Sequence, residues 1–148
     1  MNLKSLDTNI LLYAINADCA EHKNCSALVR TSIEEPGEWI VADQVWFELY
    51  RLLRSNVVLK KPLSAKDASE AISYYRHKMG WLHCAWDVHF MKQLETVWKI
   101  NSFSASKSFD LTLAITLKNF GVKTFYTRNT KDFEKLKYFN LVNPIINL

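Results

Sequence analysis

The chain has 148 residues, of which 49% are hydrophobic and only three are glycine and three proline. This length and composition are typical of a single compact domain spanning residues 1–148, and they exclude a disordered chain. The formal net charge of +4 allows an acidic partner such as RNA without requiring one. No apolar run approaches the roughly 20 residues that cross a bilayer. Asp7 also interrupts the segment where a signal peptide would be apolar, so we expect a cytoplasmic protein without membrane contact.

The three cysteines, Cys19, Cys25 and Cys84, are odd in number and contain no Cys-x-x-Cys pair. This pattern argues against a disulfide framework or a zinc site and favours reduced, buried thiols.

The first half of the chain alternates strand and helix patterns. Leu3 to Leu6 predicts a short strand, and the following Asp7-Thr8-Asn9 favours the N-terminus of a helix. A helix is predicted from His22 to Glu34, ended by Pro36-Gly37. A strand is predicted at Trp39 to Ala42, and a further helix begins at Asp43.

The second half continues this alternation. A helix is predicted from Ser64 to near Gly80, followed by a strand at Trp81 to Ala85 and a helix from Asp87 to about Ile100. An apolar helix is predicted to begin at Asp110 and to end near Phe120-Gly121. The last two predicted strands are Val122 to Tyr126 and Leu141-Val142. This order predicts an α/β fold with a central, mostly parallel sheet flanked by helices.

Asp7, Glu48 and Asp110 are far apart in sequence, yet the predicted fold can bring them together. Asp7 ends the first strand and Asn129 follows the strand at residues 122–126, so both should lie at the carboxyl edge of the sheet, where α/β proteins bind ligands. Asp110 would reach this edge from the start of its helix. Taken singly, the two aspartates could simply be N-caps, and Glu48 could pair with Arg51 on a solvated face.

The combination favours a metal site. Apolar residues surround Glu48 on nearly every side in its helix, and a carboxylate in such surroundings needs a partner or a metal. Two carboxylates about 5 Å apart repel by roughly 3 kcal/mol at an effective dielectric constant near 20. Hard oxygen ligands select Mg²⁺ or Mn²⁺, ions that activate water and neutralise charge on a phosphodiester. The residues therefore predict an oxygen-ligated metal nuclease.

Four segments, in this order and spacing, resemble a PIN domain. They are Leu6 to Ala14, Glu48 to Leu53, Phe109 to Ala114 and Thr127 to Phe133. The resemblance is greatest to the VapC-type ribonuclease toxins of bacterial toxin–antitoxin pairs. It implies a PIN-like three-layer sandwich, a Mg²⁺- or Mn²⁺-dependent endoribonuclease, an RNA substrate, a small inhibitory antitoxin and a homodimer.

The resemblance also implies roles for particular residues. Asp7, Glu48 and Asp110 match the metal-binding acids. The fourth acidic position of the family falls on Asn129, whose carbonyl can still orient a metal-held water, while Asp132 either complements it or is a structural turn residue. The candidate phosphate contact is Arg128. Lysines that could also contact phosphates, or simply lie on solvated faces, are Lys60, Lys61, Lys131, Lys135 and Lys137.

Two other functions remain open from the residues. One is a catalytically inactive PIN-like RNA-binding module, which the uncharged Asn129 favours, and the other is a metal-dependent nuclease that acts on DNA. The aromatic residues invite a base-stacking interpretation. Trp46, Phe47, Trp98 and Phe120 lie in apolar helical runs, however, and are expected in the core.

Overall fold

The computed structural model describes residues 2–146. Within this range the strands are β1 (Leu3–Leu6), β2 (Ile40–Ala42), β3 (Leu82–Cys84), β4 (Val122–Tyr126) and β5 (Asn140–Val142). The α-helices are α1 (Thr8–Ile15), α2 (His22–Ile33), α3 (Asp43–Leu53), α4 (Ala65–Lys78), α5 (Phe90–Trp98) and α6 (Ser108–Asn119). Single 3₁₀ turns occur at Ala105–Lys107, Thr130–Asp132 and Glu134–Leu136.

All the strand pairs in residues 2–146 are parallel. β1 pairs with β4 and β4 with β5, while β2 pairs with β3. A parallel β-bridge between Lys4 and Trp39 joins the β1-β4-β5 group to the β2-β3 pair, in the order β3-β2-β1-β4-β5. Next to this bridge, Lys4 N donates a 2.8 Å hydrogen bond to Glu38 O. The predicted α/β fold, with a parallel sheet flanked by helices, is therefore confirmed.

The core places the helices that carry the acidic residues. Leu6 of β1, Leu49 of α3 and Phe125 of β4 are fully buried in one large apolar cluster. A smaller cluster of Phe90, Leu94, Leu111 and Ile115 packs α5 against α6. Together these contacts hold the start of α6 next to the ends of β1 and β4 and beside α3.

Two predicted helix starts differ from the structure. The helix predicted to begin at Asp110 begins at Ser108, because the 3₁₀ turn at Ala105–Lys107 leads directly into it, so Asp110 lies in its first turn. The helix predicted from Asp87 to about Ile100 is shorter and spans Phe90–Trp98. Asp7 does cap its helix, since its carboxylate accepts a hydrogen bond from Thr8 N.

The prediction for the aromatic residues is wrong at three of four positions. Trp46 is buried, but Phe47 is 65% exposed, and Trp98 and Phe120 are each 45% exposed. The buried face of α3 includes Val45, Leu49 and Leu53, which are four residues apart. Because Phe47 lies midway between the first two, it points away from that face.

Cys25 and Cys84 are buried, Cys19 is half-buried, and all three are free thiols. Burial raises the pKa of Cys25 and of Cys84 to about 12. None of the helices within residues 2–146 has the length and apolar character needed to span a membrane.

Candidate active site

Asp7 lies at the carboxyl end of β1 and is 7% exposed. Its Oδ1 accepts a 2.8 Å hydrogen bond from Thr8 N, and its Oδ2 accepts a 2.6 Å hydrogen bond from Thr127 Oγ1. The pKa of Asp7 is raised to about 6, chiefly by burial and also by the negative charges of Glu48 and Asp110, while the two hydrogen bonds oppose this shift. Asp7 is therefore a buried carboxylate that two other acids face.

Glu48 is half-buried on α3 and lies next to α1. Its Oε2 accepts a 2.8 Å hydrogen bond from Thr8 Oγ1, and its Oε1 accepts a 3.2 Å hydrogen bond from Gln44 Nε2. Gln44 Nε2 also donates to Phe109 O at 3.0 Å, which ties α3 to α6. Arg51, the surface partner that the sequence suggested for Glu48, makes no ion pair with it. Neutral donors satisfy both carboxylate oxygens instead.

Asp110 is half-buried in the first turn of α6. Burial raises its pKa, the charges of Asp132 and Glu48 add to the rise, and the ammonium group of Lys107 opposes it. Asp132, in the 3₁₀ turn after β4, forms an ion pair with Lys107 and accepts a hydrogen bond from its Nζ. One lysine thus serves as the counter-ion for the Asp110 and Asp132 side of the site.

Asn129 and Arg128 occupy the segment after β4 but differ in their surroundings. Asn129 is exposed, and its backbone N donates a 3.1 Å hydrogen bond to Thr127 Oγ1. The guanidinium of Arg128 is held by two other residues: Nη1 donates to the Tyr13 hydroxyl group and, at 3.3 Å, to Glu21 Oε1. The predicted phosphate contact by Arg128 therefore stays a prediction, and its charge is partly neutralised by Glu21.

The acidic residues have suitable chemistry for a hard divalent cation, but they do not form a compact cage. Asp7, Glu48, Asp110 and Asp132 are close enough to influence one another electrostatically. Residues 2–146 nevertheless contain no group of three or more His, Cys, Asp or Glu side chains able to hold a metal ion together. The structure therefore lacks the three-carboxylate cage expected from Asp7, Glu48 and Asp110. Carboxylate oxygens in this number still fit Mg²⁺, which binds proteins through one or two carboxylates and keeps several waters.

Two cavities flank the acidic residues. The apolar groove, about 550 Å³, lies between α3, α5 and α6, and its walls include Glu48, Phe47, Trp86, Trp98 and Phe109. The lysine cavity, about 200 Å³, lies on the other side of Asp110. It is lined by Ser102, Phe103, Ser104, Lys107, Asp110, Leu111, Lys131, Asp132, Lys135 and Leu136.

Four polar residues of the site were not identified from the sequence as members of it: Thr8, Gln44, Lys107 and Thr127. Three of them carry a weak signal. Thr8 and Thr127 follow the ends of β1 and β4, and Gln44 lies one helical turn before Glu48. Lys107 lies in a polar stretch with no pattern that distinguishes it from other surface lysines, so no signal in the sequence could have found it.

Comparison with known sequences identifies a relative over nearly the whole chain. Ribonuclease VapC24 of Mycobacterium tuberculosis, found in strains CDC 1551 / Oshkosh and H37Rv, is 34% identical over 143 residues. The match covers 95% of this chain and 96% of the relative. No protein-family model matches the chain.

Solved structures share the fold at low sequence identity. VapC20 of Mycobacterium tuberculosis, a toxin that cleaves the sarcin–ricin loop, superposes with a TM-score of 0.69 at 17% identity, covering 95% of this chain and 99% of that one. VapBC2 from Rickettsia felis, bound to a DNA fragment from its promoter, gives 0.67 at 17% identity, covering 95% and 98%. FitAcB from Neisseria gonorrhoeae gives 0.64 at 18% identity, covering 96% and 98%. These similarities confirm the predicted PIN-like sandwich.

Proposed function

Because the chain belongs to the VapC family of ribonuclease toxins, we propose that it is the toxin of a type II toxin–antitoxin pair and a Mg²⁺- or Mn²⁺-dependent endoribonuclease. The observation that carries the catalytic part is the buried Asp7 carboxylate, which Glu48 and Asp110 face at the carboxyl edge of the sheet. Unpaired carboxylates in such an arrangement repel one another, and a divalent cation relieves that repulsion.

We assign the ion to one or two of the carboxylates of Asp7, Glu48 and Asp110, with water completing its coordination. When bound, the ion would supply a water molecule of lowered pKa and positive charge beside the phosphodiester. The chain's own residues hold the ligands in place: Thr127 and Thr8 fix Asp7, and Thr8 and Gln44 fix Glu48. Such supporting hydrogen bonds orient metal ligands and tune their affinity.

We propose supporting roles for the remaining predicted residues. The exposed side chain of Asn129 would orient a water molecule, a role that needs a carbonyl oxygen and no charge. Asp132, paired with Lys107, would hold that lysine beside Asp110. Arg128 or nearby lysines would meet the RNA phosphates.

The decisive test is RNA cleavage by the Asp110→Asn variant. Total RNA and tRNA are incubated with the wild-type protein and the variant in Mg²⁺, Mn²⁺ or EDTA. We expect cleavage only by the wild-type protein and only with metal. The matched control is Asp67→Asn, because Asp67 lies in the first turn of α4 as Asp110 lies in that of α6. Full metal-dependent cleavage by Asp110→Asn would overturn the assignment.

An inactive RNA-binding module is the second candidate function. The uncharged Asn129 and the missing group of three close metal ligands within residues 2–146 favour it. Titration with Mn²⁺ distinguishes the two, since the nuclease must bind the ion and the inactive module need not. Intact RNA binding without any Mn²⁺ binding would support the module. Parallel assays with RNA, single-stranded DNA and duplex DNA would detect a nuclease that acts on DNA.

The apolar groove supports the proposal of a small antitoxin. Its exposed aromatic side chains form a contiguous apolar surface, a feature that marks protein contacts, and the groove reaches Glu48. An antitoxin segment lying there would cover Glu48. The test is co-purification of the chain with the product of the adjacent upstream reading frame, comparing Phe109→Glu with Phe120→Glu. Both phenylalanines are exposed at opposite ends of α6, but only Phe109 lines the groove.

The homodimer is a separate proposal, and the same variants address it. The mass of the isolated chain in solution shows whether it pairs with a second copy. If Phe109→Glu converts a dimer to a monomer while antitoxin binding survives, the groove is the contact between the two copies and the antitoxin binds elsewhere.

A further inference from the structure

The lysine cavity has a composition that differs from the rest of the acidic site. It lies directly beside Asp110 and Asp132, yet three lysines, Lys107, Lys131 and Lys135, line it. Lys107 is paired with Asp132, so the charge of that carboxylate is largely balanced. Three ammonium groups against two carboxylates leave the cavity with a net positive charge next to a negatively charged centre.

Within residues 2–146, Lys131 and Lys135 have no competing partners. Neither makes an ion pair or a side-chain hydrogen bond with any residue in the range 2–146, whereas Arg128 is held by Glu21 and Tyr13. Their ammonium groups are therefore available to an external anion. Ser102 and Ser104 also line the cavity, and their hydroxyl groups are further donors. Ser104 Oγ can accept from Ser106 Oγ, 2.9 Å away, while it donates to the anion.

A buried anchor fixes the segment that carries these two lysines. Phe133 is 2% exposed and packs edge-to-face on Phe125 of β4, with 5.1 Å between ring centroids. Lys131 and Lys135 flank Phe133 at two residues on either side, in successive 3₁₀ turns. The backbone positions of both lysines are thus set by the core of the domain, although their side chains are exposed.

We propose that Lys131 and Lys135, with Ser102 and Ser104, form a subsite for a backbone phosphate of RNA adjacent to the phosphate that is cut. This inference rests on the proposed ribonuclease function. An RNA strand whose scissile phosphate lies at Asp7 and Asp110 brings a neighbouring phosphate to the lysine cavity, which Asp110 borders. Lysine contacts of this kind fix the register of a nucleic acid without reading its bases.

The first test measures the salt dependence of RNA binding. A short single-stranded RNA that the wild-type protein cleaves is titrated with protein in Ca²⁺, over a range of salt concentrations. The Lys131→Ala/Lys135→Ala variant is compared with Lys60→Ala/Lys61→Ala, which removes the same charge at a separate depression beside the C-terminal end of α1. Each lost phosphate contact lowers the slope of log affinity against log salt by about 0.7. Because the subsite holds one phosphate, we expect a decrease of about 0.7 for the first variant alone.

The second test locates the contact. Single phosphates of the same RNA are replaced in turn by neutral methylphosphonates. We expect one position next to the cleavage site to weaken binding to the wild-type protein and to the Lys60/Lys61 variant but not to the Lys131/Lys135 variant.

A wild-type slope in the Lys131/Lys135 variant, or a methylphosphonate profile that this variant leaves unchanged, would overturn the subsite while the ribonuclease proposal stands. Absence of RNA cleavage and binding by the wild-type protein would instead overturn the proposed function and the subsite with it.

Discussion

Thr127 Oγ1 donates a 2.6 Å hydrogen bond to Asp7 Oδ2, although 120 residues separate them in the chain. The bond exists because β1 and β4 are parallel neighbours, with Leu6 paired to Tyr126, so that the residues following each strand meet at one edge. Thr127 Oγ1 also accepts a hydrogen bond from Asn129 N. One buried hydroxyl group thus orients the proposed metal ligand and fixes the loop that carries Asn129.

Thr127→Val should raise the pKa of Asp7 above its value of about 6, because the hydrogen bond from Thr127 favours the ionised carboxylate. A hydrogen bond to a charged group contributes about 1.5–3 kcal/mol, which corresponds to roughly one to two pH units. The acid limb of the pH–rate profile for RNA cleavage should move upward accordingly. Thr124→Val is the control, since Thr124 is buried in β4 and its hydroxyl group makes no hydrogen bond with residues 2–146. Identical profiles for both variants would contradict this role.

Asp7→Asn should change the pH dependence of stability in a defined direction. The pKa of Asp7 is higher in the folded chain than its ordinary value of 3.8, so protonated Asp7 stabilises the fold at low pH. This contribution is lost as the pH rises through about 6. The shift of about two pH units corresponds to at most about 3 kcal/mol.

Urea unfolding in EDTA at pH 4 and pH 8 measures this effect. Relative to the wild-type protein, Asp7→Asn should be more stable at pH 8 than at pH 4, since asparagine is an equally good N-cap and carries no charge. Asp67→Asn, at an exposed position, should show no such difference. If Asp7→Asn instead lost stability relative to the wild-type protein between pH 4 and pH 8, the ionised Asp7 carboxylate would be compensated by its surroundings.

The predictable parts of the site are those that strand order determines. Asp7 and Asn129 follow parallel strands, so their shared edge could be expected from the alternation of strands and helices. Glu48 could be recognised as unusual from its apolar neighbours. These arguments use only sequence spacing and the topology of parallel sheets.

The hydrogen-bond partners of the acids could not be predicted, because they depend on how helices pack. Thr8 reaches Glu48 only through the contact of α1 with α3, and Gln44 reaches Phe109 O only because α6 starts beside α3. Lys107 meets Asp132 because a 3₁₀ turn precedes α6. The exposure of Phe47 likewise depends on which face of α3 is buried, a choice that the seven apolar residues among its eleven do not specify.

Gln44→Met should weaken metal binding without altering any proposed ligand. Methionine has nearly the shape of glutamine but cannot donate to Glu48 or to Phe109 O. Loss of a group that orients a metal ligand typically lowers affinity by about 10- to 100-fold. Calorimetric titration with Mn²⁺ measures the change, and Gln93→Met, at an exposed position on α5, is the control. An unchanged affinity would show that Gln44 does not orient a ligand of the ion.

Lys107→Met should raise the pKa of Asp110, because the Lys107 ammonium group opposes the effects of burial and of Asp132 on that carboxylate. Cleavage should then require a higher pH, since Asp110 must be ionised to bind the metal. Binding of Mn²⁺ should weaken most at low pH, where protons compete with the ion for the Asp110 carboxylate. Lys107→Arg should preserve much of the wild-type profile because it keeps the charge. Lys118→Met provides the control, as Lys118 lies at the other end of α6 over the ring of Tyr138. If Lys107→Met and Lys118→Met gave the same pH profile and Mn²⁺ affinity as the wild-type protein, Lys107 would have no electrostatic role at Asp110.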